Sequence, residues 1–318
     1  MKTYNLMVKT ALICSFLLGT YSSYSQPKVV GYIYNLSNAD SLDYSRLTHL
    51  NIAFENPDVN GNLSFTAIDS FLVQQAHLHN VKVLISIGGG LISENEIQRA
   101  LYFDFIGKEK RAFFVQKLTQ YTVAHHFDGI DVDLEGPAIN KDYGDFISSL
   151  SDALKANGKL LTAALSHGNG GSNVATVTLQ LFDFINIMAY DATGPWNPKI
   201  SGQHASYEFA VTCLDYWLGR GVSKEKAILG VPFYGYGFGP SYNTDGYYYT
   251  DLIKKFPGAE NLDQVGDTIY YNGIPTIKAK TRLGMNKGGG VMIWQLAHDA
   301  NGSKSLLVAI DEVIKGKQ

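Results

Sequence analysis

The sequence predicts one (β/α)8 barrel of the TIM type, an α/β fold, with a short insertion between strands seven and eight. Three observations carry this. Eight short β-rich runs alternate with helical stretches along most of the chain. No linker, repeat or low-complexity tract divides them. Carboxylates gather at the end of the fourth run, and barrels keep their chemistry at the C-terminal ends of their strands.

The strand candidates are Val29–Tyr34, His49–Phe54, Val81–Ile87, Phe127–Leu134, Leu160–Leu165, Phe182–Ala189, Ala227–Phe233 and Val291–Leu296. Each is short, apolar and rich in β-branched or aromatic residues. Between them, Tyr143, Phe146, Ile147, Leu150 and Leu154 fall on one helical face. Tyr207, Ala210, Val211, Leu214, Trp217 and Leu218 form a second such face, and Cys213 within it reads as a buried hydrophobe. A doubly wound open sheet is the competing fold. It calls for a G-x-G-x-x-G loop, and Ile87-Gly88-Gly89-Gly90 lacks that spacing.

Residues 1–25 read as a secretory signal. Lys2 and Lys9 form the positive region, Ala11 to Gly19 the apolar one, and Ser23 and Ser25 the small residues before a cut at Gln26. The apolar run is about half of the roughly 20 residues a membrane span needs. Lipidation at Cys14 is disfavoured by the bulky Ile13 before it. The expectation is an exported protein, extracellular or periplasmic, with residues 26–318 forming a monomeric barrel. With Cys213 alone left in that part, no internal disulfide can form. Net charge is −3 over the full chain, and removing the two leader lysines leaves 24 basic against 29 acidic residues, or −5. That balance excludes a nucleic-acid partner and favours a neutral ligand. The 20 Tyr, 16 Phe and 3 Trp suit a flat-faced one such as a sugar.

The segment Asp128-Gly129-Ile130-Asp131-Val132-Asp133-Leu134-Glu135 alternates acidic and apolar residues. On a strand, Asp131, Asp133 and Glu135 share one face at spacings of about 6.6 Å. Such crowding makes at least one of them hold a proton near neutral pH, which suits a general acid. Two other readings compete: an exposed acidic edge strand, and a calcium loop of EF-hand type ending at Asp142. The loop would expose Val132 and Leu134 and put Pro137 after its glycine. His125-His126 and His298-Asp299 have no metal-ligand spacing, so neither a metal nor a cofactor is expected.

The run DGIDVDLE resembles the D-G-x-D-x-D-x-E signature of glycoside hydrolase family 18, the chitinases and related endo-β-N-acetylglucosaminidases. Ser86-Ile87-Gly88-Gly89 is similar to the family's S-x-G-G, and Met188-Ala189-Tyr190-Asp191 to its M-x-Y-D. Gly230 to Gly235 and Gly289 to Trp294 match its seventh and eighth strands, so five motifs stand in order. The resemblance implies Glu135 as acid, then base. The substrate's acetamido group takes the place of a carboxylate nucleophile, with retention. It implies that Asp133 accepts from the acetamido N–H, that Asp131 shares a proton with Asp133, and that Tyr190 holds the acetamido oxygen. For binding it implies Asp191 and Met188, Trp294 as floor, Phe54 beside the acetamido pocket, Tyr234 on the seventh-strand motif, and Trp196 toward the leaving group.

Leu134 stands where many chitinases carry an aromatic residue. The stretch from Gly235 to Gly288, rich in Tyr, is shorter than the full insertion of some members, which implies an open groove and endo cutting. Three functions remain open: a chitinase, an endo-β-N-acetylglucosaminidase acting on N-glycan cores, and a sugar-binding barrel without activity. All three take chitin or another N-acetylglucosamine-containing glycan as partner.

Overall fold

The computed structural model describes residues 26–34 and 42–316. The signal-peptide and Cys14 expectations lie outside them. Among the described residues, no helix is long and apolar enough to cross a membrane.

Eight parallel strands close a barrel: β1 (Lys28–Ile33), β2 (His49–Ala53), β3 (Lys82–Gly88), β4 (Gly129–Asp133), β5 (Leu160–Leu165), β6 (Phe184–Ile187), β7 (Ala227–Pro232) and β12 (Gly290–Trp294). Their order round the barrel follows the chain, and β12 closes it by pairing β7 and β1. All eight predicted runs are strands, several ending a residue or two early. Thus β7 stops at Pro232, which has no N–H for the ladder.

Alternation sorts the side chains into two packed layers. Val30, Tyr32, Phe184, Ile228 and Met292 fill the barrel interior. The intervening Val29, Ile85, Ile130, Val132 and Leu229 face outward into the much larger core beneath the helices. The five apolar residues of α5 (Tyr143–Ala156) are all buried in that core. In α7 (Tyr207–Gly219) the buried face is Ala210, Cys213, Leu214 and Trp217, whereas Tyr207 is exposed on the first turn. Ser206 caps that helix by accepting from the Phe209 N–H. Burial pushes the Cys213 thiol up to about 12, consistent with an inert core residue.

The stretch between the last two barrel strands divides in two. Its final part, α9 (Ile274–Lys287), packs on β7 and β12 as an ordinary crossover helix. The insertion proper is therefore shorter than sequence suggested. It holds β8 (Tyr234–Gly237), β9 (Tyr247–Tyr248), β10 (Gln264–Val265) and β11 (Ile269–Tyr270), a small antiparallel sheet, together with the short α8 (Tyr249–Lys255). Its tyrosines do not all face a ligand: Tyr249 and Tyr271 are buried, whereas Tyr242 and Tyr248 are exposed.

Candidate active site

Strand β4 carries its acidic face into the barrel. Asp131 lies deepest and is fully buried. Its carboxylate accepts from Tyr32 on β1 (2.6 Å), Ser86 on β3 (2.8 Å), Thr162 on β5 (2.5 Å) and the Asn186 amide on β6 (3.3 Å). Burial pushes its pKa up, and three hydroxyls and one amide oppose that shift. A strand with such partners is neither a solvated edge nor a calcium loop.

Asp133, one pleat higher, is also buried, and its Oδ1 has no partner. Burial, then Glu135, then Asp131 push it well above the usual carboxylate range. No hydrogen bond joins Asp131 and Asp133 among the described residues. Neighbouring strands supply four donors to Asp131, whereas burial and two neighbouring carboxylates disfavour charge on Asp133.

Glu135 stands at the rim, half-buried, in extended backbone just beyond the strand. Its Oε2 accepts from the Asn169 amide at 3.1 Å, and its carbonyl accepts from Ser93 at 2.8 Å. Burial pushes it up to about 7; the Asn169 hydrogen bond opposes this, and Asp191 and Glu94 add to it. The end of one strand thus presents three carboxyl groups in different surroundings.

The two glycines of the third-strand motif make room for this. Gly88 and Gly89 have φ of +105° and +90°. A Cβ on Gly88 would lie 2.3 Å from the Asp133 carbonyl, and one on Gly89 2.7 Å from the Phe54 ring. The Gly89 N–H donates to that same carbonyl at 2.7 Å, fixing the height of Asp133.

Beyond β6, Tyr190 is buried, with its hydroxyl 3.9 Å from the Met292 sulfur. Asp191 turns through a left-handed conformation (φ +62°) and accepts from the Tyr234 hydroxyl. Glu135, Met188, Tyr190, Asp191 and Trp196 line one cleft of about 690 Å³. Trp196 is 61% exposed and packs edge-on against Tyr236. Trp294 and Phe54 form an aromatic wall elsewhere on the rim, their rings stacked at 5.6 Å. Tyr32 joins the two parts, with its ring 5.5 Å from Trp294 and its hydroxyl on Asp131. Tyr234 sits behind Asp191. A larger groove of about 960 Å³ lies outside the barrel between α5 and α4 (Arg111–Ala124), away from these carboxylates.

Sequence reasoning missed Asn169, Ser93, Tyr32 and Asn186. Asn169 had a signal: it lies in Gly168-Asn169-Gly170-Gly171, directly after a predicted strand end. The others are visible only once the strands are neighbours. Among the described residues, no group of three or more His, Cys, Asp or Glu forms a metal site.

This barrel and its acidic strand define a glycoside hydrolase scaffold, and the chain matches the model of glycosyl hydrolases family 18 over residues 28–299; it belongs to that family. It is similar to the GH18 chitinase ChiB from the chitin utilization locus of Flavobacterium johnsoniae, with 40% identity, a TM-score of 0.85, and coverage of 92% of this chain and 94% of that one. A chitinase from Bacteroides thetaiotaomicron is 28% identical, with a TM-score of 0.77 and coverage of 91% and 97%. The endochitinase of Brugia malayi is 27% identical over 304 residues, which is 74% of this chain and 58% of that protein. The chain therefore spans little more than half of that relative's length.

Proposed function

We propose that the protein is an exported glycoside hydrolase that cuts β-1,4-linked N-acetylglucosamine chains internally, as a chitinase does. The observation that carries this reading is the graded set of carboxyl groups on β4. Glu135, at about 7, is poised to give a proton to the glycosidic oxygen and then to take one from water. Asp133 is buried, and burial with its carboxylate neighbours disfavours its charged form, so the attack falls to the substrate's own acetamido oxygen. The unpartnered Oδ1 of Asp133 offers an acceptor to the acetamido N–H as positive charge develops. Asp131, held by its four donors, fixes the strand from below.

Tyr190 aims the acetamido oxygen, Asp191 binds beside it, and Trp294 with Phe54 supports the apolar face of the reacting sugar. Met188 and Tyr234 complete the wall, and Trp196 offers its exposed ring to the leaving group. The short insertion favours an open groove and endo action. Export rests on the leader read at residues 1–25.

The test is hydrolysis of chitohexaose by the purified chain from Gln26, followed by mass spectrometry, with Glu135→Gln alongside. Dimers and trimers from the unmodified protein only are the expected result. If Glu135→Gln kept substantial turnover, the assignment of the acid would be wrong. If neither protein cut chitohexaose, an N-glycosylated protein would be the next substrate.

A further inference from the structure

His204 is fully buried, yet its ring meets the rim residue Asp191 directly. Its Nδ1 lies 3.3 Å from Asp191 Oδ1 and 3.4 Å from the Asp191 N–H. Its Nε2 lies 3.3 Å from the Tyr234 carbonyl, so the second ring nitrogen is tied to the element that also sends a hydroxyl to Asp191. The His204 carbonyl accepts from the Ala192 N–H at 2.9 Å. Tyr234 and Tyr236 pack against the ring at 5.0 and 4.9 Å. One residue therefore contacts the Asp191 side chain through Nδ1 and holds the backbone of the same turn through its carbonyl.

The loop bearing His204 is itself fixed from behind. Gln203 donates to the Tyr271 carbonyl at 2.6 Å and the Asp263 carbonyl at 3.2 Å. The Ala205 carbonyl accepts from Lys280 Nζ at 2.6 Å and from the Asn272 amide at 2.9 Å. Lys280 Nζ also donates to Asn272 Oδ1 at 2.7 Å. Burial pushes Lys280 down to about 7, and its Nζ donates to both of these acceptors. The chain of contacts runs from α9 and the insertion through Ala205 and His204 to Asp191.

We propose that His204 is a positioning residue for Asp191, and that Lys280, Asn272 and Gln203 anchor it, so that the insertion and α9 set the aim of a carboxylate in the sugar-binding cleft. This rests on the chitinase reading of that cleft. A carboxylate held in a left-handed turn has few ways to stay aimed by itself, and a misplacement of about 1 Å at a site of this kind costs on the order of 10²-fold in rate.

The experiment is a double-mutant cycle on chitohexaose hydrolysis with His204→Gln, Asp191→Asn and the pair. A second cycle uses Lys280→Met in place of His204→Gln, in case the latter does not fold. Melting temperatures are recorded throughout. The expected result is a fall in kcat of about 10- to 100-fold for His204→Gln, with a smaller change in KM, and no further loss when it is added to Asp191→Asn. Losses that multiply in the pair, or a His204→Gln enzyme with the parent's kcat, would overturn the proposal. If the unmodified protein does not cut chitohexaose, the chitinase reading fails separately. The same cycle is then read from calorimetric affinity for chitohexaose, and absence of any binding overturns the positioning role as well.

Discussion

Asn169→Ala isolates the one side-chain hydrogen bond to the Glu135 carboxylate among the described residues. The Asn169 amide donates to Oε2 at 3.1 Å, an interaction that favours the ionised carboxylate and so holds its pKa down. A hydrogen bond to a charged group contributes about 1.5–3 kcal/mol, and Asn169 lies exposed, so the low end applies. At about 1.4 kcal/mol per pKa unit, its loss raises Glu135 by about one unit above its present value of about 7. Because the acid must be protonated to act, kcat/KM of the parent falls as pH rises through about 7. In Asn169→Ala that alkaline limb moves up by about one unit, so the variant keeps a larger share of its own maximum at pH 8. The assay is kcat/KM for chitohexaose from pH 5 to 9, with Asn169→Asp as the comparison that adds a like charge beside Glu135 and also moves the limb up. An unmoved or lowered limb in Asn169→Ala would refute the assignment of Glu135 as the group that controls it.

Other consequences follow from the same geometry. Asp131→Ala removes the acceptor of three buried hydroxyls and one amide, and is expected to cost at least about 3 kcal/mol in urea unfolding, even with hydroxyl reorientation. Gly88→Ala combines a positive φ with a Cβ placed 2.3 Å from the Asp133 carbonyl; a cost of about 3 kcal/mol or more is expected, with a fall in kcat as the end of β4 shifts. Burial lowers His49 from an ordinary 6.5 to about 4. The unfolded imidazole therefore takes up a proton that the folded one refuses, and stability is lost as pH falls from about 6.5 to about 4, by about 3 kcal/mol. The buried carboxyls act with the opposite sign, so the quantity to measure is the difference between parent and His49→Leu across pH 4–8. A pH-independent difference would count against a buried neutral His49.

The sequence alone determined the elements and the face on which the acids lie. Strand period is local: Asp131, Asp133 and Glu135 alternate with Ile130, Val132 and Leu134 whatever the rest of the chain does. The order of the apolar runs then determined a closed barrel, and the short motifs at the strand ends identified most of the cleft. What each acid does was decided only by tertiary structure. The partners of Asp131 come from positions 99, 45, 31 and 55 residues away, and no local pattern says that Tyr32, Ser86, Thr162 and Asn186 will surround one carboxylate. That encirclement gives Asp131 four donors while the Oδ1 of Asp133 is left without a partner. The same holds for the boundary between the insertion and α9, since a helix after a Tyr-rich stretch reads alike whether it packs on the small sheet or on β7 and β12. It holds also for His204, which no motif in the sequence singles out. Its burial against Asp191 exists because Gln203, Asn272 and Lys280 pull that loop inward from elements up to 75 residues further along the chain.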